Sequence, residues 1–298
     1  MKRFPPRRIL VAADLSAPSL SAVDAAKELA RQWDAAMEIV HVQEPAMIIA
    51  GGGYDGIPGS VLPVATEPKR LIEARLREAS AGFPAERLKL RTLRGWPSAV
   101  LLELARPERA DMLVMGTHGY SGLDRLLTGS VAEAVIKRAQ IPVLAVPERK
   151  SIAEVARVLA PWNGRPYATH ALRWARELAR SLGATLAVLH VEEPGRPTKD
   201  WAALDKRLVS ILGGGCDWTL RARKGDARKL IVAETNSGRY GLVVLSAHRR
   251  RFSADFVLGS TVERLLRHSE VPVMAVPSGR SRPRLIKRLA EAAGARLY

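Results

Sequence analysis

The chain has 298 residues, 47% of them hydrophobic and 26% charged, with a formal net charge of +17 and a single cysteine, Cys216. That length suits two domains of ordinary size, and one cysteine excludes an intrachain disulfide or a cysteine-based zinc site. No apolar run approaches the roughly 18 residues of a membrane span, and the basic start Met1-Lys2-Arg3 leads into a strand-like run rather than a signal peptide, so a cytoplasmic protein is expected.

The positive charge suits acidic partners such as nucleotides, nucleic acid or anionic lipid. Arg is spread along the chain without interleaved aromatic residues, which favours a solvated basic surface over a nucleic-acid motif.

In chain order, a short apolar run at 9–13 precedes a helix whose apolar positions Ala22, Val23, Ala26, Leu29, Ala30 and Trp33 recur every three or four residues. Next come a strand at 37–42, a helix near 67–83 and a strand at 88–93. A helix near 98–106, a strand at 112–115, a helix at 130–139 and a strand at 143–146 complete the set.

The whole order then repeats. Ile9-Leu10-Val11-Ala12-Ala13-Asp14 aligns with Val158-Leu159-Ala160-Pro161-Trp162-Asn163, and His41-Val42-Gln43-Glu44-Pro45 with His190-Val191-Glu192-Glu193-Pro194, at an offset of 149. Later the offset falls to 130, pairing Gly129-Ser130 with Gly259-Ser260 and Ile141-Pro142-Val143 with Val271-Pro272-Val273. The first copy therefore holds 19 extra residues at 46–64, rich in Gly and Pro, expected as a mobile surface loop, with a lid as the sharper alternative. The expected division is 1–150, 151–278 and a basic helical tail at 279–298, whose Leu285, Ile286 and Leu289 would dock on the second copy or, alternatively, touch an anionic membrane. Strands alternating with helices imply parallel pairing with crossover helices on both faces. Each copy is expected as a five-stranded doubly wound sheet, with ligands at the carboxyl ends of its strands.

The informative segment is Met115-Gly116-Thr117-His118-Gly119, followed nine residues later by Gly129-Ser130-Val131. Its glycines allow close approach of backbone, and Gly129-Ser130 opens a helix, where unpaired N–H groups favour an anion. Asp14 ends the first strand at the same edge, suited to accept from ribose hydroxyls or to make the turn before a helix at Leu20.

Other signals carry less. Gly51-Gly52-Gly53 lacks the Lys of a phosphate-binding P-loop. His41, His118, His190 and His248 lack metal-ligand spacing; His118 is expected near the ligand and His41 in a packed strand end. No nucleophile elbow or catalytic triad order is present, so at most slow hydrolysis is expected.

Gly116-x2-Gly119-x9-Gly129-Ser130, an early strand ending in Asp14, and a closing Ile141-Pro142-Val143 resemble the universal stress protein family. The resemblance spans both copies and implies a tandem member with two Rossmann-like, adenine nucleotide hydrolase-like domains. It implies ATP as ligand, with magnesium, and ADP or AMP as alternatives. Gly116, Gly119, Gly129, Ser130 and Val131 would hold the phosphates and Asp14 the ribose. Ala12, Val42 and Met115 would surround the adenine. Leu15 departs from the family's frequent Asp-Gly-Ser, at expected small cost. The resemblance further implies a stress-response regulator, a pseudo-dimer of the two copies and homo-oligomers paired through last strands, with a protein partner reading the state.

The second copy departs further. Asn163 replaces Asp14, and Ser246 and Arg249 replace Gly116 and Gly119, which is expected to place Cβ atoms where phosphates would approach. That copy is expected to be structural or regulatory, with Arg249-Arg250-Arg251 a solvated face. The competing class is a basic interaction module docking a membrane, nucleic acid or protein without nucleotide. An enzyme acting on an adenylylated substrate is a third reading, by fold analogy alone.

Overall fold

The computed structural model describes residues 4–44, 47–50, 60–63, 67–117, 129–195, 198, 200–247, 249–252 and 255–278. In the first half, β1 (Arg8–Ala12) leads through α1 (Ala17–Trp33) to β2 (Ala36–Gln43). A ribbon of β3 (Met47–Ala50) and β4 (Ser60–Pro63) precedes α2 (Lys69–Ala79) and β5 (Leu88–Arg94). Then follow α3 (Pro97–Leu104), β6 (Met112–Gly116), α4 (Ser130–Arg138) and β7 (Val143–Val146). The second half runs β8 (Arg157–Pro161), α5 (Pro166–Leu182), β9 (Thr185–Glu192), α6 (Trp201–Leu212), β10 (Trp218–Lys224) and α7 (Ala227–Thr235). It ends with β11 (Leu242–Ala247), a ribbon of β12 (Arg249–Phe252) and β13 (Asp255–Leu258), α8 (Ser260–His268) and β14 (Val273–Pro277).

Ten strands form one sheet in the order β10-β9-β8-β11-β14-β7-β6-β1-β2-β5. Every pairing is parallel except the central one, where β14 runs antiparallel to β7 through Val273–Ala145, Met274–Leu144 and Ala275–Val143. Each half thus contributes five strands, and their last strands meet. The expected pseudo-dimer forms here, but these last strands cannot also pair a second chain. Each already has a neighbour on both sides, so the expected homo-oligomer through last strands is corrected to pairing within one chain.

Helices α1, α2, α5 and α6 cover one face and α3, α4, α7 and α8 the other, because apolar side chains alternate along the strands. Ile9, Val11, Met37 and Ile39 join one core with α1 and α5, while Leu10, Val40, Leu113 and Met115 join the second with α3 and α4. Both cores run across the two halves without a break. Phe4 wedges edge-on between Trp33 and Trp174, at 5.4 and 5.5 Å between ring centroids. Across the same seam the Trp33 indole donates to the Ser181 hydroxyl at 2.6 Å. The segment joining the halves is pinned to α1 by Glu28, which accepts from the Ser151 hydroxyl (3.0 Å) and the Ile152 amide (3.2 Å).

Two expectations need correction. The first helix opens at Ala17 rather than Leu20, because Pro18, with its φ already fixed, suits the first turn. The extra 46–64 segment contains the antiparallel ribbon β3–β4 rather than only a loop. In the second half, Arg249-Arg250-Arg251 belong to strand β12, which pairs antiparallel with β13, and β13 rests against α4. Gly51-Gly52-Gly53, His118, Gly119, His248 and the tail at 279–298 lie outside the described residues.

Candidate functional site

A crevice of about 440 Å³ opens at the carboxyl ends of β1, β2 and β6. Strand β1 sits between β2 and β6, so the chain leaves it for one neighbour and returns to the other, the switch point where such sheets bind ligands. Eight of the nine expected residues line it: Ala12, Asp14, Val42, Met115, Gly116, Gly129, Ser130 and Val131. The ninth, Gly119, lies outside the described residues.

At one end is the start of α4. Its hydrogen-bond ladder begins with the Glu133 amide on the Gly129 carbonyl (3.1 Å), which leaves the amides of Ser130, Val131 and Ala132 without helical partners. The Gly129 amide is not among these orphans, since it donates to the Thr117 carbonyl at 3.1 Å. The donors facing this end are therefore the first-turn amides and the Ser130 hydroxyl, backed by the positive end of the helix dipole. Gly129 itself has φ −54° and ψ 125°, an ordinary conformation for any residue.

Gly116 has a different purpose from the one its spacing suggests. A Cβ built on it would sit 2.9 Å from Pro18 C and Ser19 N, inside van der Waals contact. The missing side chain makes room for the first turn of α1 and leaves no gap for a phosphate. The second half confirms the direction: Ser246 stands at the matching position, and its hydroxyl donates to the Tyr167 carbonyl at 3.2 Å, on the first turn of α5. The expectation that a side chain here would obstruct the ligand is thereby corrected.

Asp14 makes the turn before α1. Its Oδ1 accepts from the Ser16 amide (3.0 Å) and hydroxyl (2.5 Å), while Oδ2 has no partner among the described residues. Between them Leu15 takes φ +67°, in the left-handed region that disfavours residues with a Cβ. The substitution for glycine is thus not cheap for the backbone. It is offset by burial, since Leu15 is only 5% exposed within the α1-side core. The second half keeps the glycine, Gly164 with φ +71°.

The crevice has two unlike walls. Val40, Val42, Pro97, Leu101, Met115 and Ala132 make an apolar side under α3 and α4. Ala13, His41, Glu44, Glu67 and Arg75 lie towards α1 and α2. Arg75 spans both carboxylate oxygens of Glu67 at 3.5 Å, and the Gln43 amide holds the Glu67 carbonyl at 2.7 Å. Sequence reasoning missed Ser19, Glu44, Glu67, Arg75, Pro97, Leu101 and Thr117. Ser19, Glu67, Arg75, Pro97 and Leu101 are brought to the strand ends only by the crossovers, whereas Glu44 and Thr117 directly follow strands β2 and β6.

The matching region of the second half is furnished with its own side chains. Trp162 stands where Ala13 does and is buried, and Arg207 lies over its ring at 5.8 Å. Asn163 repeats the Asp14 turn without its charge, accepting from the Arg165 amide at 3.1 Å and donating to the Tyr167 hydroxyl at 2.6 Å. Glu192, at the position of Gln43, accepts from the Thr198 amide at 2.9 Å, a bond that holds its carboxyl below the usual carboxylate range.

Known proteins resemble this chain in sequence and in fold. The model of the "Universal stress protein family" matches residues 6–147 and again 154–277. Universal stress protein A homolog 1 of Coxiella burnetii is 36% identical over 146 residues, covering 47% of this chain and 95% of that one. A universal stress protein of Mycolicibacterium smegmatis is 27% identical over 290 residues, covering 90% of this chain and 96% of that one. A crystal structure of a universal stress protein from Archaeoglobus fulgidus superimposes with a TM-score of 0.65 at 21% identity, over 93% of this chain and all of that one, a likeness of fold.

Proposed function

The chain belongs to the universal stress protein family, and on that premise we propose that its first half binds ATP with magnesium and that other proteins read the occupied state in a cytoplasmic stress response. The observation that carries the reading is the hydrogen-bond polarity of the crevice. Its α4 end offers N–H and O–H donors, which suit phosphate oxygens. Its α2 end carries Glu44 and the Glu67–Arg75 ion pair, whose carboxylates can accept from amines and hydroxyls. The apolar wall of Val40, Val42, Leu101 and Met115 between them suits a planar base. A nucleotide laid along the crevice meets a matching group at each station.

Asp14 Oδ2 then takes a ribose hydroxyl, and Ala12, Val42 and Met115 border the base. Gly129 shapes the helix start, and Gly119 belongs to the proposed cradle by its place in the motif. Magnesium supplies charge neutralisation on the phosphates, and one or two carboxylates suffice for this ion. Among the described residues no group of three or more His, Cys, Asp or Glu side chains could hold a metal without the nucleotide. Residues 1–150 form the binding unit, and 151–278 a partner that stabilises it. ADP and AMP share the base and ribose contacts and remain ligands of the same class.

The test is equilibrium binding of labelled ATP to wild type, Ser130→Asp and Asp14→Ala, with mass spectrometry of the nucleotide that copurifies. Ser130→Asp sets a negative charge against the phosphate end and is expected to weaken binding at least tenfold. Asp14→Ala is expected to weaken it less. Gly116→Val is unsuitable, because its side chain would strike α1 and report on folding. Equal affinity of all three proteins would move the site elsewhere. A salt-sensitive association with RNA or anionic vesicles, indifferent to these changes, would favour the basic interaction module instead.

A further inference from the structure

The two halves place the same histidine in the same first bond and different second surroundings. His41 Nδ1 lies 2.9 Å from the Ala13 carbonyl, and His190 Nδ1 lies 3.0 Å from the Trp162 carbonyl, its counterpart. A carbonyl can only accept, so Nδ1 carries the proton in both rings, and in the neutral ring Nε2 is left as an acceptor. In the second half this acceptor is used: His190 Nε2 lies 2.7 Å from the Thr198 hydroxyl, and the Trp201 indole packs edge-on at 5.4 Å. His190 is buried.

In the first half the arrangement is open. His41 lines the crevice and is only half-buried, and its Nε2 makes no hydrogen bond among the described residues. By the repeat, Pro68 and Leu71 stand where Thr198 and Trp201 stand. Proline brings no side-chain hydroxyl, and Leu71 points largely to solvent at 48% exposure. The second half therefore displays, built from its own chain, what fits this position: a hydroxyl that donates to the imidazole.

We propose that His41 Nε2 accepts a hydrogen bond from a sugar hydroxyl of the bound nucleotide, and that in the second half the Thr198 hydroxyl occupies that place permanently. The assignment rests on the nucleotide reading above. His41 holds the carbonyl of Ala13, the residue before Asp14, so the imidazole and the Asp14 carboxylate stand at one corner of the crevice. Two acceptors side by side suit the two neighbouring hydroxyls of a ribose, one each. The same pairing makes His41 a specificity-determining residue that separates ribonucleotides from deoxyribonucleotides.

The experiment titrates wild type and His41→Phe with Mg-ATP, its 2′-deoxy and 3′-deoxy analogues, and the analogue lacking the 6-amino group. In wild type each deoxy analogue is expected to bind about five- to tenfold more weakly, the worth of one hydrogen bond to a desolvated partner. In His41→Phe one of the two penalties disappears, and the other, set by Asp14, persists. Retention of both penalties overturns the assignment, as does a penalty that tracks the amino group in wild type and vanishes in the variant. Since His41→Phe also frees the Ala13 carbonyl, ¹⁵N spectra of the wild-type imidazoles provide a second measurement. The Nε2 resonance of His41 should shift on adding Mg-ATP while that of His190 stays. An unmoved His41 overturns the assignment even where ATP binds. Failure of wild type to bind ATP at all removes the nucleotide reading and this one with it.

Discussion

Replacing Gly116 by Ala tests the packing account of the glycine motif directly. The new Cβ would lie 2.9 Å from two backbone atoms of Pro18 and Ser19 and 3.0 Å from Pro18 Cβ. Ordinary contact begins near 3.4 Å, so either the first turn of α1 or the end of β6 must retreat by about half an ångström. No flexible side-chain tip is available to absorb the change. Overpacking against backbone costs about 1–3 kcal/mol, so Gly116→Ala should unfold at lower urea with an unchanged m-value, and its Tm should fall by several degrees. Displacing that turn also shifts the Asp14–Ser16 bonds, so ATP affinity should fall with stability. The internal control is Ser246→Ala, which removes only the 3.2 Å bond to the Tyr167 carbonyl and should cost about 0.5–1.5 kcal/mol. A Gly116→Ala protein as stable as wild type would refute the packing role. One that is equally stable yet fails to bind ATP would restore the glycine to the ligand.

Further outcomes are expected elsewhere. Leu15→Gly relieves a left-handed residue worth about 1–2 kcal/mol but forfeits about 1.5–3 kcal/mol of buried leucine; a small net loss in urea unfolding is expected, and a gain would mean strain dominates. Glu28→Ala removes the acceptor for Ser151 and Ile152, so trypsin should cut after Arg149 and Lys150 several-fold faster, with a stability loss of about 1–2 kcal/mol. Thr92 has a buried hydroxyl with no partner among the described residues. Thr92→Val keeps its shape and should raise stability by up to about 1 kcal/mol; a loss would reveal a hidden partner. Asp226 caps α7 through the Arg228 and Lys229 amides, and its carboxyl is held below the usual aspartate range, chiefly by the Arg228 side chain. A depressed folded pKa contributes stability above the unfolded pKa and loses it as pH falls through the folded one. The gap in unfolding free energy between wild type and Asp226→Asn should therefore hold above about pH 5 and shrink as pH falls through and below the ordinary aspartate pKa of about 3.9, and a constant gap would contradict the cause assigned.

The repeat, the element order and the layered α/β architecture were legible because period-3.6 and period-2 patterns recur twice, each copy checking the other. The crevice was legible at Asp14, Gly129 and Ser130, where residue type and strand–loop–helix context agree. The purpose of Gly116 was not, since spacing cannot distinguish a glycine that admits a ligand from one that admits a neighbouring helix. The left-handed twist at Leu15 was hidden for a similar reason: its cost depends on φ, and its compensation on burial. Glu67 and Arg75 stayed invisible because they reach the site from a crossover helix whose placement follows from tertiary packing. The β3–β4 ribbon was obscured by glycine and proline, which read locally as loop.

The meeting of β7 and β14 has a consequence for what a severed chain would do. Three register pairs join Val-Leu-Ala-Val to Val-Met-Ala-Val in the middle of two cores that run across both halves, and the covalent tether adds to this by keeping each copy at high effective concentration around the other. Nicked at the tether and diluted, each piece would bare an uncharged, β-branched sheet margin, the kind that recruits any available strand. Fusion of the copies thus turns what would be a promiscuous seam between separate molecules into a private one.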